Sequence, residues 1–101
     1  MTREKIGLVK DFNYVPLKGV EVHGKEILIT RTGEKFTAIG NKCTHRGCKL
    51  SSGKIDGETV RCPCHGSVFN IVTGDVVKGP AKEPEPVYAV TVGNDELSVD
   101  V

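Results

Sequence analysis

The chain has 101 residues and a hydrophobic fraction of 38%, which suits one domain with one modest core. Fourteen Lys and Arg stand against 13 Asp and Glu, a net charge of +1 with no basic run and no acidic tail, and this excludes the electrostatic signature of a nucleic-acid or anionic-membrane binder. No stretch approaches the ~20 apolar residues of a membrane span, and the opening residues Met1 to Lys10 lack the apolar core of a signal peptide, so a soluble, cytoplasmic protein without membrane or nucleic-acid partners is expected.

Val and Ile dominate the apolar positions, Trp is absent and the runs between turn signals are short, which predicts an all-β chain with no long helix. Taken in order, Glu26–Thr30 and Lys35–Ile39 flank a turn at Arg31-Thr32-Gly33-Glu34 and form a hairpin. A second tight turn at Ile55-Asp56-Gly57-Glu58 leads through Thr59–Arg61 into Cys62. Asn70–Val77 folds back near Gly74, and Tyr88–Val92 pairs with Glu96–Val99 across Gly93-Asn94-Asp95. Between these hairpins, Gly79-Pro80-Ala81-Lys82-Glu83-Pro84-Glu85-Pro86 is too proline-rich for a central strand and reads as a stiff loop, with Lys82, Glu83 and Glu85 on a solvated face. Residues 1 to about 40 and 80 to 101 form the two sides of a base sheet, with roughly 41–79 inserted between them.

That insertion carries the chemistry. All four cysteines and two of the three histidines fall within 23 residues, as Cys43-Thr44-His45-Arg46-Gly47-Cys48 and Cys62-Pro63-Cys64-His65-Gly66-Ser67. Cys-x-His and Cys-x-x-His offer two thiolates and two imidazoles to a metal centre at the tips of two hairpin-supported loops. Read as zinc instead, the ligands are Cys43, Cys48, Cys62 and Cys64 with both histidines incidental, although Cys62-x-Cys64 is cramped against the usual Cys-x(2–4)-Cys. Under that reading the chain is a zinc-stabilised interaction module. His23 has no Cys or carboxylate at ligand spacing and reads as a turn or surface residue.

The two loops, with Gly79-Pro80-Ala81 after them, resemble the Rieske [2Fe-2S] family. The resemblance implies a single Rieske domain over 1–101, an antiparallel β-sandwich base carrying the 41–79 region as a cluster-binding subdomain. It implies one [2Fe-2S] cluster per chain, with Cys43 and Cys62 on one iron and His45 and His65 on the other, their outer nitrogens facing solvent. Replacing two thiolates by neutral imidazoles removes two negative charges, and the potential rises from roughly −400 mV to between about −150 and +300 mV. Gly47 and Gly66 bend the backbone and aim N–H groups at the sulfides, Ser67 resembles a serine that donates to a bridging sulfide, and Pro80 belongs to the loop that covers the cluster. Phe69 stands where bc-type members carry a tyrosine. Cys48 and Cys64 match a pair that is bridged in the bc-type branch; the alternative is two reduced buried thiols.

With every coordination position filled, such a centre has no place for substrate, and an electron-transfer protein, not an enzyme, is expected. The function implied is a soluble, monomeric one-electron carrier shuttling between a reductase and a redox partner. Arg46 resembles the residue at that place in ferredoxins of aromatic-ring oxygenases, so the component of a multicomponent oxygenase is the neighbouring reading.

Overall fold

The computed structural model describes residues 3–44, 47–64 and 66–101. Its strands are β1 (Arg3–Leu8), β2 (Leu17–Val22), β3 (Lys25–Thr32), β4 (Lys35–Gly40), β5 (Lys54–Asp56), β6 (Thr59–Arg61), β7 (Val68–Asn70), β8 (Val76–Lys78), β9 (Val87–Tyr88), β10 (Val90–Gly93) and β11 (Glu96–Asp100), and single turns of 3-10 helix occupy Val9–Phe12 and Leu50–Ser52. They form three antiparallel sheets of order β1-β11-β10, β2-β3-β4-β9 and β5-β6-β7-β8.

The β2-β3-β4-β9 sheet lies between two cores, and β3 shows why. Its Ile27, Leu28, Ile29 and Thr30 are all buried, a continuous run where a half-exposed strand would alternate. Ile27 and Ile29 join Phe12, Ala38, Leu97 and Val99 in one apolar cluster against the β1-β11-β10 sheet. Leu28, one residue out of phase, turns to the other face with Ile39, where Leu50, Val60, Phe69, Ile71 and Ala81 pack with Cys43 and Cys62. The polar member of the run, Thr30, is hydrogen-bonded to the Thr37 hydroxyl across the hairpin, which offsets the cost of burying it.

The β3–β4, β5–β6, β7–β8 and β10–β11 hairpins turn where the glycines predict. Two expectations change. Tyr88–Val92 is not one strand: Val87 and Tyr88 pair with Ile39 and Ala38, and after Ala89 the chain crosses to the other sheet, where Val90–Gly93 pair with β11. The N-terminal region supplies two edge strands that carry no strong sequence signal. β1 is charged and partly exposed, held by pairing to β11 with an irregularity between Lys5 and Gly7. β2 pairs with β3 through all of Leu17–Val22. Edge strands need only one apolar face and tolerate charge on the other, so their sequences look like loop.

His23 sits in the β2–β3 turn with a positive φ of 51°, as a turn residue should. Its Nε2 lies 3.1 Å from Glu4 Oε1, a carboxylate that sequence spacing does not place near it.

Candidate metal centre

The two cysteine loops are closed in the same way. In the first, the Cys43 N–H donates to the Cys48 carbonyl at 2.7 Å and the Gly47 N–H to the Cys43 carbonyl at 2.7 Å. In the second, the Cys62 N–H donates to the Ser67 carbonyl at 2.7 Å and the Gly66 N–H to the Cys62 carbonyl at 3.2 Å. Gly47 and Gly66 take φ of 75° and 76°, the left-handed region that other residues enter at a cost. The predicted bends are therefore present, but the glycines' own N–H groups are spent on closing the loops. Matched by these bonds, Cys43 corresponds to Cys62 at the head of each loop, while His45 and His65 occupy the third and fourth positions.

The loops rest on different supports. The second is the β6–β7 connection, so strand pairing of Arg61 with Val68 carries it directly. The first leaves β4 through Asn41 and returns at a bridge between Lys42 and Lys49. Asn41 is buried, accepting from the Ser51 N–H at 2.8 Å and donating to Ser51 Oγ at 3.1 Å. Glu26 clamps the same base, its two carboxylate oxygens each 3.2 Å from Lys42 and Lys49. Hydrogen bonds from Lys49 and then Lys42 hold its carboxyl below the usual range. Neither Asn41 nor Glu26 stands out in the sequence; the only hint is a polar residue directly after an apolar strand.

Cys43 and Cys62 are each 2% exposed and sit together in one apolar cluster. Cys48 and Cys64 form a disulfide with Cα atoms 6.4 Å apart, joining the loops outside that pair. The sulfurs of Cys48, Cys62 and Cys64 lie within 4.8 Å of one another. A four-thiolate zinc site is thereby ruled out for this form, because the bridge consumes two of the required donors. Two dry thiols at the heads of matching loops suit an iron–sulfur centre, which is stabilised by low solvent exposure. His45, Arg46 and His65 lie outside the described residues.

The bridge spans 16 positions in sequence, for which chain entropy predicts about 3 kcal/mol of stabilisation. Replacing Cys48 and Cys64 by alanine is expected to cost the metal-free protein about that much in urea unfolding. The metal-loaded protein should lose less in a thermal scan, because its centre ties the same loops.

The proline loop is hydrogen-bonded to both cysteine loops. The buried Ser67 hydroxyl accepts the Ala81 N–H at 3.0 Å and keeps its own proton for a further bond, and the Thr44 hydroxyl donates to the Glu83 carbonyl at 2.7 Å. Each cysteine loop is thus tied to the segment that begins at Pro80, whose peptide bond to Gly79 is cis.

Glu85 departs from the solvated face expected for it. It is 5% exposed, and among the described residues its Oε2 has no hydrogen-bond partner. Burial pushes its carboxyl up to about 7, against a smaller lowering by the Thr44 backbone N–H. Since the folded value lies above the unfolded 4.5, the folded state holds the proton more tightly. Glu85's contribution to stability is then greatest below about pH 4.5, falls as pH rises toward about 7, and levels off above it, a change on the order of 3 kcal/mol. Glu85→Gln keeps an acceptor for Thr44 and removes the charge. Its thermal midpoint should match the parent at pH 4.5 and exceed it at pH 8.

The Rieske [2Fe-2S] domain family matches residues 3–92, and the chain belongs to that family, whose cofactor is a [2Fe-2S] cluster. It is 37% identical over 73 residues to ferredoxin CarAc of Metapseudomonas resinovorans, covering 72% of this chain and 68% of that protein. The ferredoxin of carbazole 1,9a-dioxygenase from Nocardioides aromaticivorans IC177 superposes with a TM-score of 0.92 at 27% identity, over 98% of this chain and 97% of that one. Apoptosis-inducing factor 3 of Mus musculus is 32% identical over 91 residues, yet the chain spans only 15% of its length. No helix among the described residues is long and apolar enough to cross a membrane.

Proposed function

We propose that Cys43 and Cys62 hold one iron of the cluster and His45 and His65 the other, and that the chain is a soluble, cytoplasmic, monomeric one-electron carrier between a reductase and a redox partner. The placement of Cys43 and Cys62, 19 positions apart in sequence, at equivalent points of two identically closed loops in one dry cluster is the observation that carries this reading. When bound, the cluster takes up and releases one electron. The chain's own residues do the rest. Residues 41–79 act as the cluster-binding subdomain on a base built from 1–40 and 80–101. Gly47 and Gly66 hold the loops closed, the apolar neighbours of both cysteines exclude water, and Pro80 and Ala81 cap the second loop through Ser67, whose remaining proton is available to a cluster sulfur.

The name of the carbazole-dioxygenase ferredoxin, which matches nearly the full chain, supports an oxygenase system as the destination of the electron. Reconstitution with iron and sulfide tests the assignment. Two irons and two labile sulfides per chain are expected, with a reduced-state EPR signal whose average g lies below the free-electron value. Colourless protein that binds zinc in place of iron overturns it.

A further inference from the structure

The β5-β6-β7-β8 sheet carries its charges at opposite ends. Its turns alternate: β5–β6 and β7–β8 close at one end, and the Cys62–Ser67 loop closes β6–β7 at the other. Residues 41–79 contain six Lys and Arg but only three acids, a net +3 that leaves −2 for the remainder of the chain. All three acids, Asp56, Glu58 and Asp75, fall at or beside the two turns remote from the cysteine loop. At the loop end, pairing sets Lys54 opposite Arg61, Arg61 opposite Val68 and Val68 opposite Lys78.

Directly paired residues share a face, so Lys54, Arg61 and Lys78 form one row across all four strands, roughly 14 Å long at ~4.8 Å per strand. The opposite face, with Val60 and Phe69, is core. All three cations are exposed, and among the described residues no carboxylate pairs with any of them. They line one depression of about 350 Å³, which Asp56 borders at the end toward the β5–β6 turn. Lys54 and Arg61 also line a neighbouring one of about 600 Å³ that runs onto Cys62, Pro63, Cys64 and Gly66. The Arg61 guanidinium lies so close over Gly66 that a Cβ there would come within 3.3 Å of it.

We propose that this row is the docking face for an acidic redox protein, orienting it over the second cysteine loop. The inference rests on the electron-carrier reading. Unpaired exposed cations beside a redox centre raise the encounter rate with an oppositely charged partner and fix its orientation. A short row suits the small, transient interfaces of electron transfer. Three cations are too few for the multiple phosphate neutralisations on which nucleic-acid binding depends.

The test uses cluster-loaded protein and, as donor, a reduced four-cysteine [2Fe-2S] ferredoxin of strongly negative net charge. The donor is oxidised by one electron and this protein's cluster is reduced by one. For the parent, the second-order rate in stopped flow should fall as salt rises. Lys54→Glu with Lys78→Glu should lower the low-salt rate at least about tenfold and flatten or invert its salt dependence. Lys10→Glu with Lys35→Glu makes the same change in net charge on exposed residues away from the loops and should keep at least half of the parent rate.

Equal losses in the two pairs, or a parent rate indifferent to salt, would overturn the docking face. The visible spectrum confirms that each variant is loaded. Failure of the parent to be reduced even by dithionite would instead remove the electron-carrier reading.

Discussion

Exchanging both histidines for cysteine, His45→Cys with His65→Cys, is expected to lower the midpoint potential by at least about 250 mV, equivalent to roughly 6 kcal/mol for one electron. The cause is charge. Two imidazoles are neutral ligands and two thiolates are not, so the incoming electron meets a centre already carrying two extra negative charges. The loops accommodate the change, since Cys64 already occupies the third position of the second loop, where His45 stands in the first, and both loops share one hydrogen-bonded closure. Voltammetry of the reconstituted double variant reads the shift. A midpoint within a few tens of millivolts of the parent would mean that neither histidine binds iron, and the ligand assignment would fall with it.

The second large effect belongs to a residue that touches no ligand. Gly74→Ala is expected to cost about 3–4 kcal/mol and to lower the thermal midpoint by about 15–25 °C. Gly74 has a φ of +77°, where an alanine Cβ is strained, and a Cβ there would collide with the Glu85 carbonyl and press on Val87 Cγ2. Its own carbonyl accepts the Glu85 N–H at 2.8 Å while its N–H donates to Asn70 at 2.8 Å. The added methyl therefore drives the proline loop away from the β7–β8 turn and breaks the bond that holds them. Gly33→Ala is the control, with a φ of +64° and open space around the new Cβ. It should lose only about 1 kcal/mol, the backbone strain by itself. Similar midpoints for the two variants would show that the proline loop is not held through Gly74.

The site was legible in the chain to the extent that its chemistry is local. Cys43, His45, Cys62 and His65 stand out as candidate ligands by their spacing, and Gly47 and Gly66 by the bends such short loops require. The hairpin turns at Gly33, Gly57, Gly74 and Asn94-Asp95 were equally readable, since a tight reversal has few backbone solutions and each favours particular residues. The bridge between Cys48 and Cys64 was suggested by family resemblance and is present, though no local rule pairs residues on separate loops. Glu85 shows the opposite case. In a run of Lys, Glu and Pro it reads as solvated, yet the chain folds its carboxyl against Gly40 and the Thr44 N–H.

By itself, then, the order of residues determined which side chains are candidate ligands, the glycine bends at Gly47 and Gly66, the turns and the all-strand character, because each depends on neighbours a few positions apart. Tertiary structure alone decided that β1 closes onto β11, that Leu28 and Ile29 serve different cores, that Ser67 receives the proline loop, and that Lys54, Arg61 and Lys78 line up beside a cysteine loop. These depend on contacts between residues far apart in the chain. Such contacts are set by which apolar faces bury one another, and any one segment carries only half of that information.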